Sequence, residues 1–298
     1  MQIGVDFGGT KIEAAALDAD GGFIGRIRAP NPGTYEAALA AVAGLVQAIE
    51  RETGTTGTVG LAVPGSVSPT SGRMRNANST WLNGRPFRED VEAALARPVR
   101  LANDANCLAL SEAVDGAAAG ARVVFGVIVG TGCGGGLVVD GRLIGGANGV
   151  AGEWGHISLP WPTADETPGP ACWCGQHGCL ETWISGTGFQ RDHTGPGDRS
   201  LSAETIVVAA RAGDPIAAAS LERYGDRLAR GLAMVVNLID PDVVVMGGGM
   251  SNVRELYPML NERVGRHVFA DTSDTRIVPA RWGDSSGVRG AARLWPVD

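Results

Sequence analysis

Ile3-Gly-Val-Asp6-Phe7-Gly8-Gly9-Thr10-Lys11 opens the chain. The first five residues form a short apolar run interrupted by Asp6, which predicts a buried strand, and Gly8 to Lys11 turns the chain. Ile12 to Leu17 reads as a second strand, Asp18 to Gly22 as a second turn, and Phe23 to Ala29 as a third strand that alternates apolar and polar. The order returns near residue 124. Val123 to Val129 is apolar, Gly130-Thr131-Gly132-Cys-Gly-Gly-Gly136 turns, Leu137 to Val139 is apolar, and Asp140-Gly141 is a hairpin signal. This is an internal duplication of long period rather than a repeat array. It predicts two similar lobes with a cleft between them and a hinge near Asp115–Gly120.

The remaining segments alternate strands with helices, which argues for α/β lobes. Thr34 can cap a helix running to about Glu52, with Leu39, Val42, Val46 and Ile49 at helical spacing. Val59 to Val63 is a strand stopped by Pro64-Gly65, Ser66 to Gly84 is loop, Glu89 to Leu95 is helix and Val99 to Ala102 is strand. A small-residue helix covers about Ala105 to Asp115. Later, Pro215 marks a helix start, and Leu221, Tyr224, Leu228, Leu232, Val235 and Ile239 mark its buried face. Val243 to Met246 is a strand, Gly247-Gly248-Gly249 opens a helix to about His267, Ile277-Val278 is a strand, and Asp284 to Gly287 leads into a last helix.

At 298 residues, 44% hydrophobic and 19% charged, the chain has the composition of a soluble globular protein. Its net charge of −7, with no Lys/Arg run, argues against nucleic acid. Met1 to Asp6 already reads as core strand, which leaves no room for an export signal. No apolar run reaches the roughly 20 residues that span a bilayer. These features predict a cytoplasmic protein with no membrane partner.

The second informative stretch runs from Gly152 to Glu181. It holds Glu153-Trp-Gly-His156 and then Cys172-Trp-Cys174-Gly-Gln-His177-Gly-Cys179-Leu-Glu181. Thiolates and a neutral imidazole are zinc ligands, and His156, Cys172, Cys174 and Cys179 supply a closed tetrahedron, which reads as structural. Plain thiols or one disulfide are the alternatives, against an odd count of five cysteines in a chain of this size. His177 is a rival fourth ligand, although inside the short cysteine loop it would have to fold back tightly. The zinc would fix a loop that carries Glu153 and Glu181 at its ends.

Three glycine turns follow buried strands: Gly8-Gly9-Thr10-Lys11, Gly130-Thr131-Gly132 and Gly247-Gly248-Gly249. Glycine lets backbone N–H groups approach an anion, and together the three suggest phosphate binding. The first is not a Walker A loop, because Thr and Lys are reversed and a strand follows. The second matches G-x-G-x-x-G, but a hairpin follows instead of a helix. Asp6, at the end of the first strand, can hold Mg²⁺ through water or simply start a turn. Asn103-Asp104, where a strand meets a helix, is either an N-cap or the site of a general base for phosphoryl transfer to an alcohol. Asn76, Asn78, Glu153, His156 and Glu181 could bind a polyol, whose hydroxyls both donate and accept, or could serve their own loops.

Four segments carry a family resemblance. They are Asp6-Phe-Gly-Gly-Thr-Lys11, Glu153-x-x-His156, Cys172-x-Cys-Gly-x-x-Gly-Cys179-x-Glu181, and Asn237-x-x-x-Pro241-x-x-Val-Val-x-Gly-Gly-Gly249. Together they resemble the ROK family of bacterial sugar kinases and repressors. Asn76 to Gly84, Leu101 to Cys107, Glu112 to Gly120 and Asp284 to Ala292 look most like fructokinases of the manno(fructo)kinase kind. The resemblance implies a two-lobed, duplicated actin-like and hexokinase-like (ribonuclease H-like) ATPase fold with a structural zinc loop. Residues 1–115 would form the small lobe, joined by the C-terminal helix at about 286–298, and residues 116–285 the large lobe. The implied activity is transfer of phosphate from Mg-ATP to a hexose, fructose giving fructose 6-phosphate with mannose as a further substrate, and a glucokinase or N-acetylhexosamine kinase as the alternative, in a homodimer that closes on substrate. Asp104 would be the catalytic base. Gly65, Asn78, Asn103, Asp104, Glu153, His156 and Glu181 would bind the sugar. Asp6, Gly8, Gly9, Thr10, Lys11, Gly130, Thr131, Gly132, Gly247, Gly248 and Gly249 would meet the nucleotide. Fifteen residues separate His156 from Cys172, more than in the family's usual glucokinase pattern, so the Leu159–Ala171 loop is expected to shape the sugar pocket or a dimer contact. A ROK repressor would carry a helix-turn-helix ahead of the first glycine turn, where Asp6 leaves no space.

Overall fold

The computed structural model describes residues 1–197 and 200–296. The elements in chain order are β1 (Gln2–Phe7), β2 (Lys11–Leu17), β3 (Phe23–Pro30), α1 (Tyr35–Thr53), β4 (Thr58–Val63), β5 (Ser66–Val67), β6 (Met74–Arg75), α2 (Phe87–Leu95), β7 (Val99–Asn103) and α3 (Asp104–Val114). They continue with β8 (Val123–Val129), β9 (Cys133–Val139), β10 (Arg142–Leu143), α4 (Glu181–Ile184), α5 (Gly186–Thr194), α6 (Ala203–Arg211) and α7 (Pro215–Ile239). β11 (Val243–Gly247), α8 (Leu256–Arg263), β12 (Arg276–Pro279) and α9 (Ser286–Ala292) complete the set. No helix among the described residues is long and apolar enough to cross a membrane.

The duplication is visible in the sheets. One has the order β3-β2-β1-β4-β7 and the other β10-β9-β8-β11-β12. In the first, β1 pairs antiparallel with β2 and parallel with β4, and β4 pairs parallel with β7. In the second, β9 and β10 are antiparallel, whereas β8, β11 and β12 run parallel. The chain divides into two compact units. One comprises Met1–Gly120, Gly136–Gly152 and Asp284–Asp298, and the other Ala121–Gly135 and Glu153–Gly283.

In the first unit, Ile3, Val5, Phe7 and Ile12 bury against Val42, Val46 and Ile49 of α1. Gly54 ends α1 in the left-handed region at φ 67°, whereas Thr34 stands at the N-cap without a side-chain cap bond. α9 lies directly on the strands because glycines leave it room. A Cβ on Gly4 would come 1.9 Å from Val288 O, one on Gly60 1.9 Å from Ala291 O, and one on Gly290 1.8 Å from Cys107 O. In the second unit, Asp214 caps α7 through the N–H groups of Ile216 and Ala217, with Pro215 at its first position. Leu221, Tyr224, Leu228, Leu232 and Val235 are buried as their spacing predicts. Glu166, in the proline-rich insert, is fastened to α7 by Arg227 at 2.8 Å and Arg230 at 2.9 Å. Burial opposes its charge, yet bonds from Arg230, Arg227 and the Thr163 N–H hold its carboxyl down at about 2.

Three expectations change. Ser66–Gly84 is not all loop, since β5 and β6 pair there and Thr80–Leu82 makes a 3-10 turn. Two-residue strands are too short to show a period of two. β9 begins at Cys133, so its glycines are strand residues. Gly136 has no Cβ because one would lie 2.6 Å from Ala105 O. The predicted helix from Gly247 to His267 is broken. Gly247 ends β11, Gly248 sits at φ 82°, Gly249–Asn252 is 3-10, and α8 starts only at Leu256. Pro258 lies in the first turn of α8, where its missing N–H costs no hydrogen bond.

The glycine seat of α9 is testable. Gly60→Ala should lower unfolding stability by about 3 kcal/mol, because the methyl meets backbone that cannot swing away. Gly44→Ala, within α1 and with open space around it, should raise stability by about 0.5–1 kcal/mol. Urea midpoints measure both, and equal midpoints for the two variants would refute the packing argument.

Candidate active site and metal centre

The metal centre is built by pinching one loop. Isolated bridges pair Ser158 with Cys179 and Ala171 with His177. Cys172 N–H donates to Gln176 O at 2.8 Å and Gly175 N–H to Cys172 O at 3.0 Å, so the cysteine segment is a tight turn. One ligand atom each from His156, Cys172, Cys174 and Cys179 then lies within 4.8 Å of the others. His156 Nδ1 is 3.6 Å from Cys172 Sγ, and Cys174 Sγ is 3.6 Å from Cys179 Sγ. With Zn–S of about 2.3 Å and Zn–N of about 2.0–2.1 Å, the edges of a tetrahedral zinc site are about 3.6–3.8 Å. The donor set therefore fits zinc in type and number, and these two separations match a tetrahedral edge. Burial, then the adjoining sulfurs of Cys174 and Cys172, pushes the Cys179 thiol up to about 12. His177 is not in the cluster. It is exposed, with Nδ1 3.4 Å from Gly169 O.

Beside this centre stands Glu181, the first residue of α4. Its Oε1 accepts from Trp173 Nε1–H at 2.7 Å and its Oε2 from the Cys133 N–H at 3.0 Å. A Cβ on Gly132 would come 2.8 Å from Glu181 Oε2, so a side chain there would have to displace that carboxylate. Glu153 is half-buried at the start of the Trp154–His156 turn, and its carboxylate has no hydrogen-bond partner among the described residues. The sequence reading named Glu181 but missed both of its donors. Trp173 signals itself only by lying between two ligand cysteines.

The glycine turns of this unit face a cavity of about 630 Å³, which Gly130, Thr131 and Gly249 line. Gly130 N–H bonds Gly132 O at 3.0 Å, Gly186 N–H bonds Gly130 O at 2.7 Å, and Thr187 Oγ1–H donates to Thr131 O at 2.9 Å. The start of α5 is thus stitched to the turn. Val207, Val208 and Val253 give the cavity apolar walls, while Gln190, Ser202 and Asn252 add polar edges. Arg211 also lines it, bound bidentate to Glu255 at 2.6 and 2.9 Å. Gly247 instead ends β11, and Gly248 makes the turn with no room for a Cβ against Val129 backbone. An apolar slot with phosphate-sized glycine turns at its mouth suits a nucleoside phosphate. The contribution of α5 was missed although Gly186-Thr187-Gly188 at its start repeats the Gly-Thr-Gly of residues 130–132, whereas no glycine motif marks α6.

In the first unit, Gly8 to Lys11 turns between β1 and β2. Asn31 pins that turn, donating Nδ2–H to Gly8 O at 2.7 Å and its N–H to Thr10 O at 2.9 Å. Lys11, exposed, is the only lysine of the chain. Asn103 is the N-cap of α3, its Oδ1 accepting from Ala105 N–H at 2.9 Å, and its Nδ2–H reaches Gly65 O at 3.4 Å. The capping reading of Asn103 is therefore correct. Asp104 is a separate matter, being exposed as the first residue of α3, with Oδ1 accepting from Ala105 N–H at 2.8 Å. Gly65 sits at φ 72°, where a Cβ would meet Arg75 O at 2.3 Å. Asn78 is exposed and accepts from the Ser79 N–H at 2.7 Å, and Asn76 adopts φ 57°.

Burial first, then the Asp104 and Glu13 carboxylates, push Asp6 up to about 6, against the pull of Lys11. Gly287 stands over this carboxyl, where a Cβ would lie 3.1 Å from Oδ2. Folded Asp6 holds its proton more tightly than the unfolded chain does. Its contribution to stability is therefore present below its ordinary 3.8 and lost as pH rises through about 6.

Two outcomes follow from these geometries. Asp6→Asn should raise the thermal midpoint at pH 7.5 and leave it unchanged near pH 3.5. Parallel wild-type and variant profiles across that range would sink the assignment. Purified protein should carry one zinc per chain by elemental analysis. His156→Ala should lose it and His177→Ala should keep it, and the reverse pattern would exchange the ligands.

Comparison with known proteins fits this architecture. The ROK family profile matches residues 2–297. The N-acetyl-D-glucosamine kinase of Pectobacterium atrosepticum is 41% identical over 303 aligned residues, covering 100% of both chains. The crystal structure of a ROK hexokinase from Thermus thermophilus superposes with a TM-score of 0.87 at 35% identity, covering 98% of this chain and 96% of that one. A ROK family glucokinase from Streptomyces griseus, solved with glucose and AMPPNP, gives a TM-score of 0.78 at 30% identity, covering 98% of each chain. With its whole length matched, and with the paired sheets and the His-Cys cluster in place, this chain belongs to the ROK family.

Proposed function

We propose that this chain is an ATP-dependent hexose kinase that phosphorylates a primary hydroxyl of N-acetyl-D-glucosamine. The observation that carries the choice of sugar is the 41% identity, over the full length of both chains, to an N-acetyl-D-glucosamine kinase. It supports an acetylated hexosamine over the fructose that the sequence motifs suggest.

The residues have chemistry for each part of this reaction. Asp104 is an exposed carboxylate at the N-terminus of an 11-residue helix, able to take the proton of an attacking hydroxyl. Glu181, oriented by its two donors, keeps a free lone pair on each oxygen for sugar hydroxyls. Glu153 is an acceptor without a partner among the described residues. His156 has Nδ1 in the metal cluster, and its other ring nitrogen remains for a hydroxyl. The cavity at Gly130, Thr131 and Gly249 suits the nucleoside, and the first glycine turn with Lys11 suits its phosphates. Asp6, at the strand end, would hold hydrated Mg²⁺, which when bound neutralises phosphate charge. The zinc would hold its loop and take no part in the reaction.

A coupled ADP-release assay with Mg-ATP tests the reading. N-acetyl-D-glucosamine should give the highest kcat/KM in a panel with glucose, mannose and fructose. A preference for fructose would restore the motif-based reading, and no turnover with any sugar would refute the kinase. As a control, Asp104→Asn should cut kcat roughly 10²-fold or more while calorimetric sugar binding persists.

A further inference from the structure

Two ligand cysteines bracket a tryptophan whose side chain is 66% exposed, yet whose ring is held on two sides. Its ring and the His156 imidazole stand at right angles, with centroids 4.9 Å apart and an interplanar angle of 89°. Its Nε1–H donates to Glu181 Oε1 at 2.7 Å. The other oxygen of that carboxylate is taken by the N–H of Cys133, the residue directly after Gly130-Thr131-Gly132.

A carboxylate at the end of a three-torsion side chain is mobile, and its terminal torsion is broad. One donor fixes a point, whereas two donors on different oxygens fix the plane. Cys133 supplies its donor from backbone at the start of β9. The second donor comes from a side chain on the metal loop, placed there by Cys172 and Cys174 on either side. A largely exposed tryptophan gains little from burial, so packing does not explain the residue. Its ring contact is with the candidate metal ligand His156 and its hydrogen bond with the Glu181 carboxylate.

We propose that Trp173 is the positioning residue for Glu181: it couples the order of the metal loop to the orientation of that carboxylate, and so sets affinity for the sugar. The proposal rests on Glu181 being a sugar ligand. The fixed carboxylate presents its free lone pairs in one direction, which lowers the ordering cost of binding. Trp173 touches no reacting atom in this scheme and acts through Glu181.

Three variants test it by calorimetry with N-acetyl-D-glucosamine, steady-state kinetics and zinc analysis. Trp173→Phe keeps a ring against His156 and removes the N–H. It should retain zinc, leave kcat and the KM for ATP within about twofold, and raise Kd and KM for the sugar about tenfold. Glu181→Gln should weaken sugar binding at least as much. The double variant should be no weaker than Glu181→Gln alone, because the tryptophan has no carboxylate left to orient. Unchanged sugar affinity in Glu181→Gln would remove the underlying sugar-ligand reading. Weakened binding in Glu181→Gln with normal binding in Trp173→Phe would remove the positioning role alone. Additive losses in the double variant, or loss of zinc from Trp173→Phe, would show a structural role and overturn the proposal.

Discussion

Four ligand atoms drawn within 4.8 Å of one another set the local order of the second unit. Thiols and an imidazole gain nothing from such proximity by themselves, and a tetrahedral cation such as zinc would make it favourable. Once that point is fixed, neighbouring positions follow. Cys172 and Cys174 place Trp173, Trp173 holds one oxygen of Glu181, and the Cys133 N–H holds the other. The glycine turn before Cys133 lines the cavity that suits a nucleoside phosphate. Metal loop, sugar-binding candidate and glycine turn are thus linked through one carboxylate. The proline-rich insert is secured separately, by Glu166 against Arg227 and Arg230 of α7.

The first unit solves a different problem, that of placing polar groups at the ends of buried strands. Its means is close backbone approach. Glycines at 4, 60 and 290 let α9 settle against the sheet and α3. Ser286 of α9 donates to the buried Glu112 at 2.9 Å, and Arg289 reaches Asp115 at 2.7 Å, so the same helix is also fixed by polar contacts. Asp6 is left in a poorly solvated position among other carboxylates, which raises its proton affinity. A group in that state is a poor contributor to stability at neutral pH. Such a cost is typical of a residue retained for binding.

Much of the fold was legible. Apolar runs at 3–7, 59–63, 123–129 and 243–246 are all core strands, because parallel-paired strands covered on both faces need a near-continuous apolar sequence, which Asp6 alone breaks at the end of the first. The recurrence of strand, turn, strand, hairpin predicted two similar lobes, and the two five-stranded sheets share one order. Errors fell where glycine or brevity removes the pattern. β9 begins inside a glycine run that has no side chains to alternate. β5 and β6 are two residues each. The glycines after β11 continue neither the strand nor a helix, and Pro258 restarts the helix only at Leu256.

The sequence by itself determined the chemistry available: three cysteines and a histidine in zinc-like spacing, three glycine turns at strand ends, and carboxylates beside them. These are local properties, written in residue type and short spacing. Spacing favoured His156 over its rival His177 as the fourth ligand, and the tertiary structure decided it, placing His156 with the three cysteines and leaving His177 exposed. It also decided that Asn103 caps α3, that α5 and α6 help wall the nucleotide-sized cavity, and that Glu181 is held by Cys133, 48 residues away. Periodicity reports how each segment is buried. It carries no information on which distant backbone N–H will meet which side chain, because that depends on how the segments pack.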